Sequence, residues 1–431
     1  MFPVSVMLWS LLVLVFGYAV RESFRGRYYT LLFNLVIMAV LTLVRPVMFF
    51  LGMDTPHPGY AFPGEFWGIT AVTLTAVLVW TLTLHLGNVA SQGSGESLTW
   101  LFPSPGIVCD RRRLIFLVVL VFVISSATNF WIVSRYSSIG AFMLQVKHGK
   151  ALAGFYVLRE TATLSAVLSF YGILTLMEDR NRRRPGVWIL GGMVAVSLFW
   201  IYLWGNRMNI ALILMSMLFS WHLYVQKFNL VKAAVVVALG VGLMLLLRYI
   251  REILFVQVTG VSHKALDTMS FIRGLSLSLH FAEFDALMLC LKDAGSIIPF
   301  REGSDFIHGL TAWIPRQLWP DKPETHFIGG WLRQVYEPQT RNGWPPTVIG
   351  SWFLNFGWVG IGLGALVSGT LFRALSLRYA DLTRNAFSAA FLPFFSVFLF
   401  WGGMNTNFFQ SYVLYVVPVF LLSLALRVRV G

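Results

Sequence analysis

The chain is 431 residues long, 57% hydrophobic and only 12% charged, with a mean hydropathy of +0.71. Its charge content is about half that of an average soluble domain, which excludes a water-soluble globular protein and leaves no room for a second, soluble domain. The formal net charge of +14 would suit nucleic acid, but the charges sit in short turns between apolar stretches, which excludes that partner and points to membrane orientation instead.

Eleven apolar spans fit the sequence, at about 4–20, 29–52, 65–90, 114–134, 160–177, 187–204, 208–224, 232–250, 347–372, 385–401 and 411–427; each is long enough for a hydrocarbon core of about 30 Å. The first has its positive charges behind it and none ahead, the pattern of an anchor with its N-terminus outside rather than a cleaved signal peptide. From that start Arg21, Arg25, Arg27, Arg111, Arg112, Arg113, Arg180, Arg182, Arg183, Arg184, Lys227, Lys232, Arg373, Arg378, Arg384, Arg427 and Arg429 all fall in the cytoplasm. The outward turns at 53–64 and 402–409 carry no Lys or Arg. Unpaired backbone cannot face lipid, so the spans are expected to be helices, and the short alternating segments of a β-barrel are absent. The expected architecture is a single all-α polytopic membrane domain over residues 1–431.

Two outward segments are substantial. Residues 135–159 (with Arg135, Lys147, His148, Lys150 and Arg159) form a smaller loop with an apolar middle suited to the interface. Residues 251–346 form the large extracytoplasmic loop, where ionisable groups sit among Trp, Pro and Gly. No internal repeat is visible, which argues against an inverted-repeat transporter. Cys109 and Cys290 fall on opposite sides of the bilayer and are not expected to pair.

Within the large loop, 271–293 has helical periodicity. Arg273, Ser276, His280 and Glu283 share one face, opposite Leu275, Leu279, Ala282, Ala286 and Leu289. A cation, an imidazole and a carboxylate on one face suit transfer chemistry; the plainer alternative is an interfacial helix with a wet side. In 314–331 and 342–360 the prolines forbid a continuous helix. There Arg316 and Lys322 supply donors, Glu324 and His326 supply candidate bases, and Trp319 offers a flat apolar face; Arg333 and Arg341 add further cations. Elsewhere Arg207 stands at the mouth of a very short outward turn, where a charge needs a partner or water. Arg45, followed by Pro46, lies inside the second span, and Arg248 and Arg251 end the eighth, placed to hold lipid phosphates. Glu283 and Asp285 form an acid-x-acid pair, but on a helix they diverge by about 200°, and no histidine spacing fits a metal. Neither a metal nor another cofactor is expected.

The run IPRQLWPDKP, a Gly-rich aromatic stretch, then PPTVIGSWFLNFGWVGIGLG (roughly residues 314–363), together with GNRMN at 205–209 and the eleven-span layout, resembles the Wzy-type polymerases of O-antigen and exopolysaccharide repeat units. This chain has Ser351 where many relatives carry an acidic residue, so no acidic role carries over to that position. The resemblance implies a GT-C-like fold in the bacterial inner membrane with a periplasmic active face. It implies a metal-independent, inverting glycosyltransferase that moves a growing glycan from undecaprenyl diphosphate onto the next lipid-linked repeat unit, with a Wzz-type chain-length regulator as an expected partner. Arg207, Arg273 and Arg316 are the candidates for neutralising the diphosphate leaving group, since a guanidinium holds its charge and matches phosphate oxygens. Glu324 or His326 is the candidate base, with Glu283 and His280 in reserve. Arg45, Arg248, Arg251, Lys322, Arg333, Arg341, Trp319 and Asn355 are expected to bind substrate. The related O-antigen ligases, which transfer to lipid A core, and a lipid-linked oligosaccharide flippase stand as alternatives.

Overall fold

A computed structural model describes residues 1–62, 64, 66–104, 110–147, 156–177, 185–227, 229, 232, 235, 242, 246–247, 249–250, 253, 282–314, 318–321, 328–339, 343–382 and 385–426. Among these residues the structure is helical, with an isolated bridge between Ala294 and Ile298 and no strand. Eight helices are long and apolar enough to cross a membrane. They lie at seven of the expected positions from the first to the ninth, and at the eleventh. The expected seventh span forms a helix, Arg207–Tyr224, outside those eight. The eighth lies largely outside the described residues, and the tenth is the 13-residue helix Ala386–Phe398. At 1.5 Å per residue that helix is about 20 Å long, short of a hydrocarbon core.

The chain divides into two compact units. The first comprises Met1–Leu101, Leu266–Arg378 and Phe398–Tyr412. Its frame is α1 (Phe2–Arg25), α2 (Tyr29–Phe50) and α3 (Phe66–Ala90), followed by α4 (Gln92–Ser97). Hydroxyls in the apolar α3 are satisfied locally: Thr70, Thr73 and Thr81 each donate to the carbonyl four residues back, at 2.8 Å.

The second unit comprises Phe102–Ala265, Tyr379–Val397 and Val413–Gly431. It holds α5 (Arg111–Val133), α6 (Ile139–Lys147), α7 (Tyr156–Met177), α8 (Pro185–Leu203) and α9 (Arg207–Tyr224). Asp110 caps α5 by accepting from the Arg112 N–H at 2.9 Å, which starts the helix just ahead of its three arginines. Buried polar pairs tie these helices: Ser165 with Ser197 at 3.0 Å, and the Trp204 indole N–H to Asn129 at 2.6 Å.

The large loop contributes three helices to the first unit: α10 (Ala282–Asp293), α11 (Ser304–Thr311) and α12 (Ile328–Tyr336). The expected ninth span is α13 (Thr347–Arg378), and it is not one straight helix. Phe356 and Gly357 leave helical geometry, and Gly357 adopts φ 62° and ψ −153°, a conformation essentially restricted to glycine. A Cβ on Gly360 would lie 2.4 Å from the Trp352 carbonyl, and one on Gly364 would lie 2.3 Å from the Trp352 ring. In a continuous helix, residues eight apart are separated by about 12 Å. The chain therefore doubles back at Gly357. Residues 347–355 form an arm of about 13 Å lying against residues 358–378, which at about 31 Å are long enough to span. The spanning arm packs closely on α3 through paired glycines: a Cβ on Gly369 would stand 2.3 Å from the Leu84 carbonyl, and one on Gly87 2.7 Å from that of Leu366.

Beyond α14 (Ala386–Phe398), α15 (Phe408–Ser411) leads through a π-helical turn, Tyr412–Val416, into α16 (Val417–Leu426). The segment before α15, expected as an outward turn, is packed inside the first unit. The Gly402 N–H donates to Asn34 at 2.9 Å, the Met404 N–H to Ser368 at 2.8 Å, and Trp352 donates to the Met404 carbonyl at 2.6 Å. Asn34 lies about 16 Å along α2 from Arg45. Irregular backbone is held at that level because side chains supply the partners that helix or water would otherwise give.

Candidate functional site

Helix α10 organises the first unit's polar groups. Arg45, on α2 one residue before Pro46, extends its guanidinium to the Asp285 carboxylate of α10, with Nε at 3.1 Å and Nη2 at 2.7 Å. Nη1 meets Asp54, and Nη2 also donates to the Thr55 carbonyl at 3.0 Å. The His57 backbone N–H donates to Asp285 at 2.9 Å. A guanidinium inside an apolar helix bundle must find anions, because it does not give up its proton. Burial pushes the Asp285 carboxyl above its ordinary range, against the downward pull of Arg45. Arg45 is 1% exposed and engaged at every guanidinium nitrogen, so it is a clamp that fixes α10 and the 54–57 turn to α2. Arg45 was expected to bind substrate; in the structure its guanidinium meets protein groups instead. The wet helix face expected around Glu283 is corrected as well: every side chain from Glu283 to Cys290 is buried, both carboxylates included.

The C-terminal end of α10 carries a second group. Tyr336, ending α12, donates its hydroxyl to Asp293, which Lys292 also approaches at 2.9 Å. Burial, then the bond to Asp293, pushes the Tyr336 hydroxyl above its ordinary value. Tyr60 donates to the Tyr336 carbonyl at 3.1 Å. Arg333 on the same helix pairs with Glu337 at 2.7 Å, and its guanidinium lies 5.0 Å from the Trp344 ring. His57 packs edge-on against the same ring.

The hairpin of α13 anchors a third group. Arg301 donates through Nη2 to Asp305 at 2.8 Å, and Asp305 also accepts from Asn355 at 3.0 Å. The Arg301 guanidinium lies 4.8 Å from the Trp331 ring, and its backbone N–H takes up the Leu354 carbonyl at the hairpin turn, at 2.8 Å. Asn355 thus belongs to a polar cluster, as a partner of Asp305. The Ser351 hydroxyl is spent on the Thr347 carbonyl at 3.1 Å.

In the second unit, Arg207 opens α9, whose N-cap Asn206 accepts from the Asn209 N–H at 3.3 Å. Sequence reasoning missed a buried carboxylate in this unit. Glu160, 3% exposed near the start of an apolar helix, accepts from Tyr415 at 2.5 Å, from Thr163 at 3.2 Å and from Arg159. The π-helical turn carries Tyr415, and such insertions mark functional positions more often than chance.

Trp319 is 39% exposed. Arg248, Arg251, Arg273, His280, Arg316, Lys322, Glu324, His326 and Arg341 lie outside the described residues. Among the described residues, no group of three or more His, Cys, Asp and Glu side chains is arranged to hold a metal ion. Cys290 is a free, buried thiol. Asp285, Asp293, Asp305 and Glu337 were not singled out as site residues by sequence. The pairs Arg301/Asp305 and Arg333/Glu337 have i, i+4 spacing that could have revealed them; the partners from distant segments left no such sign. No family model matches the chain, and no curated protein or solved structure is similar to it.

Proposed function

We propose that this chain is a polyprenyl-diphosphate-linked glycan polymerase of the bacterial inner membrane with a periplasmic active face. In this reading it transfers a growing glycan from undecaprenyl diphosphate to a lipid-linked repeat unit. The observation that carries the reading is the set of guanidinium groups, carboxylates and Trp rings held by α11, α12 and the α13 hairpin, of which Trp331, Arg333, Glu337 and Trp344 lie in the stretch whose sequence resembles those polymerases. Flat aromatic faces suit sugar rings, while Asn and paired carboxylates suit their hydroxyls. In the proposed step, an acceptor hydroxyl attacks the anomeric carbon from the face opposite the diphosphate. The carbon–oxygen bond to the diphosphate breaks, its electron pair leaves with the phosphate, and the hydroxyl proton passes to a base. Arg207, Arg273 and Arg316 are assigned to the leaving group, and Glu324 or His326 to the proton.

The test is incubation of the purified protein, in lipid nanodiscs, with a lipid-linked repeat unit and neither metal nor nucleotide added. A ladder of products is expected, and Arg207→Ala is expected to insert normally yet yield single repeats. With lipid A core added as a second acceptor, product transferred only to that core supports a ligase instead. In sealed vesicles, movement of intact lipid-linked glycan across the bilayer with no new glycosidic bond supports a flippase.

A further inference from the structure

Helix α11 has its polarity reversed. Asp305 and Gly309 are buried, whereas Ile307 is 63% and Leu310 is 48% exposed. Beyond its end Trp313, Leu318 and Trp319 are exposed as well. A short helix in water does the opposite and turns its carboxylate outward. Here the carboxylate faces the protein, engaged by Arg301 and Asn355.

The setting of α11 says what covers that surface. Phe306 packs on Trp352 at 4.6 Å and on Phe356 at 5.8 Å, at the head of the α13 hairpin. Past that head, Trp358, Val359 and Leu363 of the spanning arm are exposed as well, so α11 is joined through Phe306 to a helix whose own outward side chains are apolar. Gly309 meets the 402–407 segment backbone to backbone; a Cβ there would stand 2.0 Å from the Thr406 carbonyl. That segment is anchored to Asn34, well below the Phe50 end of α2.

We propose that α11 forms a lipid-contacting element, with Ile307 and Leu310 resting among bilayer acyl chains and Trp313 just past its end. This assigns part of the large loop to the membrane, with the tryptophans near the headgroups, where such rings collect. The Arg301–Asp305–Asn355 cluster then lies on the protein side of a helix whose other side is lipid. The inference does not depend on the chemistry proposed above.

Site-directed spin labels in phosphatidylcholine–phosphatidylglycerol nanodiscs test it. Cys109→Ser is the background, since Cys290 is fully buried and stays unlabelled. Labels enter singly as Ile307→Cys, Leu310→Cys and Trp313→Cys, with Val359→Cys as the lipid reference and Asp321→Cys as the aqueous one. The expected result is relaxation at 307 and 310 enhanced several-fold more by oxygen than by a water-soluble nickel chelate, as at 359. Nickel accessibility matching 321 overturns the proposal, and so does shielding from both reagents, which would mean that protein covers this face. Because the three labels are read independently, one variant that fails to insert leaves the test intact.

Discussion

At the residue scale, the Arg45 clamp makes a sharp prediction. Removing the guanidinium leaves Asp285 buried without its counter-charge, and breaking a buried pair from one side costs about 3–5 kcal/mol. Arg45→Met should therefore lower the melting temperature in detergent substantially, whereas Arg45→Met with Asp285→Leu should recover much of the loss. A double variant as unstable as the sum of the singles would show that the two side chains do not act together. Tyr336 makes a pH prediction. Its raised value means that the unfolded chain ionises near the ordinary tyrosine value of about 10 while the folded chain keeps its proton. Stability from this group is fully present below pH 10 and falls as pH rises above it. Tyr336→Phe should be less stable than the parent at pH 8 by about 1–2 kcal/mol, through loss of a charge-assisted hydrogen bond. Melting curves from pH 8 to 11 should show that gap closing. The spacing of Arg301 with Asp305 and of Arg333 with Glu337 was legible in sequence; the Tyr336 bond to Asp293, between separate helices, was not.

At the scale of elements, the hairpin in α13 depends on one glycine. An alanine at 357 must adopt a backbone conformation that costs about 1–3 kcal/mol, so Gly357→Ala should unfold earlier on thermal melting than Gly362→Ala, where a Cβ meets open space. Equal effects would mean that the turn is not specified there. Apolar periodicity predicted this region as one span because 347–355 and 358–378 are each helical and apolar; only the close approach of Trp352 to Gly360 and Gly364 shows the reversal. The same limit applies to 402–409. Glycine, asparagine and threonine without charge fit an outward turn as well as a segment packed inside, and the difference lies in partners such as Asn34 and Ser368.

For the whole molecule, eight apolar helices and clusters of arginine in alternate short turns predict a fixed orientation. Cysteines placed singly at Arg112 and Asp381 should react only from the side opposite one at Asp54, with a membrane-impermeant maleimide applied to sealed vesicles. Labelling of all three from one side would remove the basis for the topology. Sequence alone determined that the chain is helical and membrane-embedded, because hydrocarbon thickness fixes span length and lipid forbids unpaired backbone. Those constraints act on each segment separately and so survive in local composition. Tertiary structure decided that Arg45 is a clamp, that α10 is buried all round, and that one span is a hairpin. Each depends on which distant group a side chain meets, and a pairing between residues 240 positions apart, such as Arg45 and Asp285, leaves no periodic mark on either segment.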